Sequence, residues 1–243
     1  MDAAGLYEYV RKVRMWVGQV FEWAIENDEC ETNPAAAIKP DKAFGKKKVV
    51  NHAALRLVDV PVLMDRLKLE EDLLSVLACR LMALTWVRTG ELRFMLWSEL
   101  EAGGKMWRIP EGKMKRRHEH LVPLSTQAQQ ILAVLKARSR GSNYVFPSEH
   151  RPDRPMSENT VLYLLYRLGY KGEMTGHGWR SVVSTWANER GFNPDAIERQ
   201  LAHVPDDKVR AAYNRAAYLP TRRKMLQAWA DWLDHPDTGS DEG

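Results

Sequence analysis

Two cysteines, Cys30 and Cys79, are all the chain contains, and both lie in helix-like surroundings. That is too few for a disulfide framework and suits a reducing compartment. No run of about 18 apolar residues occurs, so no transmembrane helix and no membrane partner are expected. The first residues lack the basic-then-apolar pattern of a secretory signal, which makes a cytoplasmic setting the natural reading. Internal repeats and low-complexity segments are missing as well. What is there is ordinary globular material: 243 residues, 44% of them hydrophobic, sufficient for one substantial core and a small appendage.

The net charge of +4 is mild, but its distribution is uneven. Between Gly104 and Pro155 lie Lys105, Arg108, Lys113, Lys115, Arg116, Arg117, Lys136, Arg138, Arg140, Arg151 and Arg154, against Glu111, Glu119, Glu149 and Asp153. After Ala230 lysine and arginine vanish, and Asp231, Asp234, Asp237, Asp241 and Glu242 make an acidic end. A central basic zone fits a polyanion such as DNA. A solvated loop face explains the same charges equally well.

Residues Leu6 to Asn27 have helical period, with Val13, Trp16, Val17, Val20, Phe21 and Ala24 on one stripe. The following segment carries two prolines and Lys46-Lys47-Lys48, as a linker would. One helix cannot make a core, so residues 1–51 read as the end of one domain plus a basic linker. A second domain spans 52–235, and 236–243 form an acidic disordered tail.

In the second domain Asp59 is placed to cap a helix through Leu67. A helix from about Glu70 buries Leu73, Leu74, Leu77, Leu81 and Leu84, and GELRFMLWSEL continues in helical period with Leu92, Met95 and Leu96 inward. MWRIP and HEHLVPLS then alternate like two strands around EGKMKRR, a hairpin with a basic turn. Ser125 and Ser157 are candidate caps for the next two helices. Helices over 177–189, 194–202 and 206–217 follow, then TRRKMLQAWADWLD. The fold class is mainly α with a small antiparallel β-sheet (α+β).

Several residues have chemistry beyond packing. His177 and Arg180, three apart at a helix start, share one side with the unpaired N–H groups of the helix end, an arrangement suited to phosphate. They could equally cap the helix and pair with an acid such as Glu189. Arg88 leaves a strongly apolar helix at Thr89-Gly90, with Glu91 placed to orient it, and Arg93 is its rival. Lys113, Lys115, Arg116 and Arg117 stand at the hairpin tip, where a lysine can contact phosphate or protonate a leaving oxygen. His118 and His120 could pair, but no acidic cluster or cysteine pair completes a metal site. Tyr213 and Tyr218, five positions apart, are flanked by arginines and preceded by His203. A tyrosine can attack a phosphodiester without metal if two arginines neutralise the non-bridging oxygens. Its phenol, with a pKa near about 10, needs such cationic surroundings.

These segments together resemble the tyrosine recombinase family, most closely prophage-type integrases, over about His52 to Asp234. TWVRTGELRFMLW is similar to the family's first-arginine box, placing Arg88 as that arginine and Glu91 as its acidic supporter. Counting back seven residues from Val122 puts the hairpin lysine at Lys115, with Lys113, Arg116 and Arg117 beside it on DNA. His177-Gly178-Trp179-Arg180 matches H-x-x-R, and Leu201-Ala202-His203 matches L-G-H with alanine for glycine. The spacing after His203 selects Tyr213 as nucleophile. The resemblance implies a DNA breaking-rejoining fold, and strand cleavage and rejoining through a 3′-phosphotyrosyl intermediate with no cofactor and no metal. It further implies integration or excision of a prophage or genomic island, double-stranded attachment-site DNA as partner, a homotetramer on DNA from free monomers, and a place at the bacterial nucleoid. A type IB topoisomerase shares this chemistry, and a non-catalytic DNA-binding remnant is the rival of another class. The front of the chain departs from the family: only the last helix of a core-binding domain is expected there, as in a truncated integrase. The last helix, with Met225, Leu226, Trp229 and Trp232, could pack on a neighbouring copy or on its own domain.

Overall fold

In the computed structural model the described residues are 7–44, 52–71, 73–114, 117–139, 141–203 and 218–236. The chain divides into two compact units, Met1–Asn51 and His52–Gly243.

The first unit holds α1 (Tyr7–Glu26) and a helical turn, α2 (Pro40–Ala43). The segment expected to be linker folds back on α1. Gly18 is buried, Asn33 Nδ2 donates to the Gly18 carbonyl at 3.1 Å, Ala35 is buried, and Arg11 pairs with Asp41 at 2.9 Å. The expected apolar stripe divides: Val13, Phe21 and Ala24 are half-buried, whereas Trp16, Val17 and Val20 are exposed.

The second unit is built around α4 (Leu74–Thr85), whose residues Val76 to Cys79 and Leu81 to Thr85 are all buried. A helix apolar all round must be enclosed. Packed against it are α6 (Thr126–Arg138), α7 (Thr160–Arg167), α8 (Gly178–Glu189) and α10 (Leu219–Asp234). The other helices among the described residues are α3 (Val60–Leu69), α5 (Thr89–Arg93) and α9 (Pro194–Gln200). Five tryptophans, Trp86, Trp107, Trp179, Trp186 and Trp229, are fully enclosed in this unit. Burial of such side chains contributes roughly 2–3 kcal/mol apiece.

Local chemistry explains the boundaries. Ser125 Oγ accepts the Ala128 N–H at 3.3 Å, and Asn193 Oδ1 accepts the Asp195 N–H at 2.8 Å with Pro194 in the first turn, so α6 and α9 start where expected. Asp59 precedes α3, but its carboxylate takes the Arg56 guanidinium at 2.8 Å and caps nothing. Ser157 does not cap α7: it accepts the Asn159 N–H at 3.3 Å, and the helix begins at Thr160. The helical period through GELRFMLWSEL overstates the helix. The helix stops at Arg93, a turn follows over Trp97–Glu99, and Leu96 is only half-buried.

The sheet has three strands in the order β1 (Leu100–Glu101), β2 (Met106–Ile109) and β3 (His120–Pro123), all antiparallel. Two were expected; β1 was hidden by its length of 2 residues. The β2–β3 register pairs Trp107 with Val122 and Ile109 with His120. Trp107 and Ile109 are buried, while Arg108 between them reaches Glu101 and Glu119.

The last helix packs on its own unit. Met225, Leu226, Trp229 and Leu233 are buried, and Trp229 Nε1 donates to the Ala83 carbonyl at 2.8 Å. Trp232 stacks on Trp229 at 5.1 Å. No helix among the described residues is long and apolar enough to cross a membrane.

Candidate active site

The end of α4 begins the site. Trp86 terminates the helix in a left-handed conformation (φ 65°), and the chain turns into α5 at Arg88. Glu91, a buried residue of α5, accepts the Arg88 backbone N–H at 2.8 Å and the Arg88 Nη1 at 2.8 Å. The carboxylate therefore fixes both the start of α5 and the direction of the guanidinium, which keeps 28% of its side chain exposed. Arg93 goes elsewhere, donating to the Met156 carbonyl at 2.9 Å beside the Phe94 ring.

Gly176 brings the second segment in. A Cβ there would stand 3.1 Å from Met82 Sδ and 3.2 Å from Thr89 Oγ1, so the loop before α8 runs tightly against the Arg88 turn. His177 precedes α8 and Arg180 lies in its first turn. Arg180 is buried, donating through Nη1 to the Trp86 carbonyl at 2.6 Å and through Nη2 to the Leu201 carbonyl at 2.6 Å. The same Nη2 lies 3.0 Å from His203 Nε2. His203 Nδ1 lies 2.8 Å from Glu198 Oε2. With Nδ1–H donating to Glu198, Nε2 is left to accept from Arg180. Burial and the neighbouring Arg88 push the Arg180 pKa down to about 10, which leaves it charged at neutral pH. Burial, then His52, Arg180, Arg88 and His203, push His177 down to about 4, so its imidazole is neutral.

Ala202, where the resembled pattern has glycine, adopts φ 51°. An alanine pays about 1 kcal/mol for that left-handed turn, which lets the His203 N–H reach the Glu198 carbonyl at 2.9 Å.

The structure thus brings Arg88, Glu91, His177, Arg180 and His203 together. Lys115, Arg116 and Tyr213 lie outside the described residues, as do the expected helix over 206–217 and the acidic tail from residue 237. Arg117 is exposed at the hairpin end with φ 49°. Lys113, expected on DNA, forms an ion pair with the buried Glu99 and also donates to the Phe94 carbonyl at 2.7 Å. Glu99 also accepts from Trp107 Nε1 at 3.0 Å and from the Leu96 N–H at 3.2 Å. It anchors the hairpin, a role that helical periodicity around it concealed.

His118 and His120 do not pair as ligands: His118 is exposed and His120 is buried. No group of three or more His, Cys, Asp or Glu among the described residues could hold a metal ion. Beneath the site Arg222 of α10, also buried, donates to Gln200 Oε1 at 2.7 Å and to the Leu121 carbonyl, and Gln200 Nε2 donates to the Thr85 carbonyl at 2.8 Å. Sequence reading missed this web, since nothing local distinguishes Arg222 from a surface arginine.

His120 carries an acid-stability prediction. Burial, then Arg222 and Arg199, push its pKa down to about 3, and its Nε2 has no partner among the described residues. The unfolded chain therefore binds the proton first, and the stability from neutral His120 is complete above pH ~6.5 and declines as pH falls toward about 3. Urea unfolding at pH 7 and pH 5 should differ by about 2 kcal/mol from this residue alone. His120→Gln should flatten that slope; an unchanged slope would exclude His120 as its source.

Comparison with known proteins gives the same picture. The pattern described as Phage integrase family matches residues 54–219. The chain belongs to the phage integrase family. It is 38% identical over 242 residues to Prophage integrase IntA of Escherichia coli (strain K12), covering 99% of this chain and 58% of that protein. It is 36% identical over 251 residues to the integrase of Enterobacteria phage P4, covering 96% of this chain and 57% of that one. The chain therefore spans less than two thirds of the length of these relatives. Its fold matches a lambda integrase tetramer bound to a Holliday junction, with TM-score 0.60 at 21% identity over 85% of this chain and 64% of that one. It also matches the Tn1549 transposon integrase in complex with transposon right end DNA, with TM-score 0.63 at 14% identity over 95% and 82%. The tyrosine recombinase catalytic fold is the fold of this integrase-family chain.

Proposed function

We propose that this chain is a site-specific DNA recombinase that cleaves and rejoins double-stranded attachment-site DNA to integrate or excise a prophage or genomic island. What carries the reading is the convergence of two guanidiniums, Arg88 and Arg180, with two histidines, His177 and His203, at one site. Two fixed cations facing one anionic centre suit a phosphodiester whose transition state gathers charge on its non-bridging oxygens. A neutral His177 can take the phenol proton on its unprotonated ring nitrogen, and His203, oriented by Glu198 with Nε2 accepting from Arg180, helps fix that guanidinium toward the phosphate.

The Tyr213 oxygen attacks phosphorus and the bond to the 5′ oxygen breaks, with Lys115 returning a proton to that leaving oxygen. The 3′-phosphotyrosyl link preserves the bond energy, so a 5′ hydroxyl of the partner strand reverses the step and releases Tyr213. The reaction needs no cofactor. On DNA the chain assembles as a homotetramer from free monomers, and it acts in the bacterial cytoplasm at the nucleoid. Residues 52–235 form the catalytic domain, and α1 belongs to a core-binding domain.

The test is covalent capture. Incubated without metal on nicked duplexes covering the ends of the element that encodes it, the full chain should form an adduct that survives denaturation. Tyr213→Phe should form none. An adduct from Tyr213→Phe as strong as that of the unaltered chain removes Tyr213 as nucleophile, and no adduct on any such duplex leaves a DNA-binding protein that does not cut.

A further inference from the structure

The pattern shared with the family begins at residue 54, and an unassigned histidine lies just ahead of it. His52 opens the second unit, and its ring packs on that of His177 with centroids 4.4 Å apart and planes tilted by 49°. The contact is held by backbone. The Ala53 carbonyl accepts both the Thr175 N–H and the Thr175 Oγ1 at 3.2 Å. Gly178 lies so close beneath that a Cβ would stand 2.3 Å from the Ala53 carbonyl and 3.1 Å from Ala54 Cα. Residues 53 and 54 are thereby pinned on the start of α8, and the residue before them has little choice but to cover His177.

We propose that His52 is a positioning residue for strand cleavage, holding the His177 imidazole toward the Arg88–Arg180 pair by ring contact. The inference rests on the recombinase reading. Its physical logic is that His177 sits in an entirely cationic or potentially cationic surrounding: His52 from the preceding segment, Arg88 from the α5 turn, Arg180 from α8 and His203 after α9. Glu91 and Glu198 are committed to Arg88 and His203. His52 excludes water from one face of the His177 ring and disfavours its protonation. At neutral pH the ring is uncharged in any case, so what the contact supplies there is a restriction of its rotation. An exposed histidine gives no local sign of this, because the partner is 125 positions away along the chain.

Two variants of the full chain, His52→Ala and His52→Phe, separate positioning from bulk stability. Histidine NMR titration of the free protein reads His177 directly, with the resonance assigned through His177→Asn. In His52→Ala the His177 midpoint should rise from about 4 by roughly 1 pH unit. Single-turnover adduct formation at neutral pH should fall about tenfold, with DNA affinity within about twofold, and the acid limb of its pH profile should move up with the NMR midpoint. His52→Phe retains a ring on His177 and should recover cleavage to within about threefold. An unmoved His177 midpoint in His52→Ala, an unaltered cleavage rate, or a His52→Phe variant as slow as His52→Ala would each overturn the proposal. A chain that forms no adduct in any of the three forms strikes the recombinase reading and the role in cleavage together. The NMR midpoint then still decides whether His52 governs His177.

Discussion

Arg180→Lys should slow single-turnover DNA cleavage by about a thousandfold while changing DNA affinity only a few fold, because the lost interaction belongs to the transition state. Arg180 is a fork whose prongs are already placed by the fold: Nη1 on the Trp86 carbonyl, Nη2 on the Leu201 carbonyl and against His203 Nε2. Those contacts aim the plane of the guanidinium, and the donors left over can meet a phosphate in a fixed geometry. A lysine keeps the charge but has a single nitrogen, which cannot satisfy two carbonyls on different segments and still face a phosphate. A buried carbonyl is left unpaired, at about 1–3 kcal/mol, which corresponds to a melting temperature lower by roughly 3–10 °C. Cleavage is therefore compared well below that transition, where both proteins are folded. If Arg180→Lys cleaves within tenfold of the unaltered chain, Arg180 is structural, and the phosphate reading of the site fails with it.

What sequence makes visible here depends on how local the cause is. The helix cap at Ser125 acts within three residues and is seen where expected, and α9 starts at Pro194 as its spacing implied. Trp107 and Ile109 alternate with Arg108 because the strand period is a property of neighbouring residues, so the hairpin is legible too. The site is legible in a different way. Arg88, His177, Arg180 and His203 come from segments far apart in the chain, and periodicity alone left Arg88 and Arg93 as rivals. Only the family pattern favoured Arg88, and the fold then sends Arg93 to Met156 and the Phe94 ring. Asp59 and Ser157 are drawn from capping by Arg56 and Asn159 close by, whereas other readings fail for want of partners distant in sequence. Lys113 reads as a free basic tip until Glu99 is folded beneath it, and the end of GELRFMLWSEL reads as helix until Tyr144 bridges Leu96 as an extended pair. Residues after Cys30 read as linker until Asn33 closes onto Gly18.

The buried polar groups under the site tie α10 to its chemistry. Arg222 reaches Gln200, Gln200 reaches the Thr85 carbonyl, and the next carbonyl, that of Trp86, holds Arg180. The last helix is thus attached to Arg180 through the α4–α5 turn as well as through Trp229 in the core. Buried charges held this way favour one arrangement over its neighbours, since each alternative leaves a donor or acceptor unsatisfied.

Gly178→Ala tests the same principle from the backbone side and should have the largest steric effect on stability among alanine substitutions at the described glycines of the second unit. Gly178 has an ordinary helical position, so conformational freedom is not the reason for glycine there. The reason is space, because the new carbon would stand 2.3 Å from the Ala53 carbonyl and 3.1 Å from Met174 Sδ. Met174 can move, but the carbonyl is backbone bonded to Thr175, so either the 53–54 segment lifts or α8 shifts. Overpacking of this kind costs about 3 kcal/mol, or roughly 6–12 °C in melting temperature. Gly90→Ala is the control, since a Cβ at Gly90 meets nothing within 4 Å and the helical position gains from alanine. Cleavage measured far below the melting transition should still fall at least tenfold in Gly178→Ala, because His177 and Arg180 flank the displaced turn and a shift of about 1 Å is enough to lose alignment. Calorimetry showing Gly178→Ala within about 0.5 kcal/mol of Gly90→Ala would mean that the 53–54 segment yields freely, and the pinning of His52 over His177 would go with it.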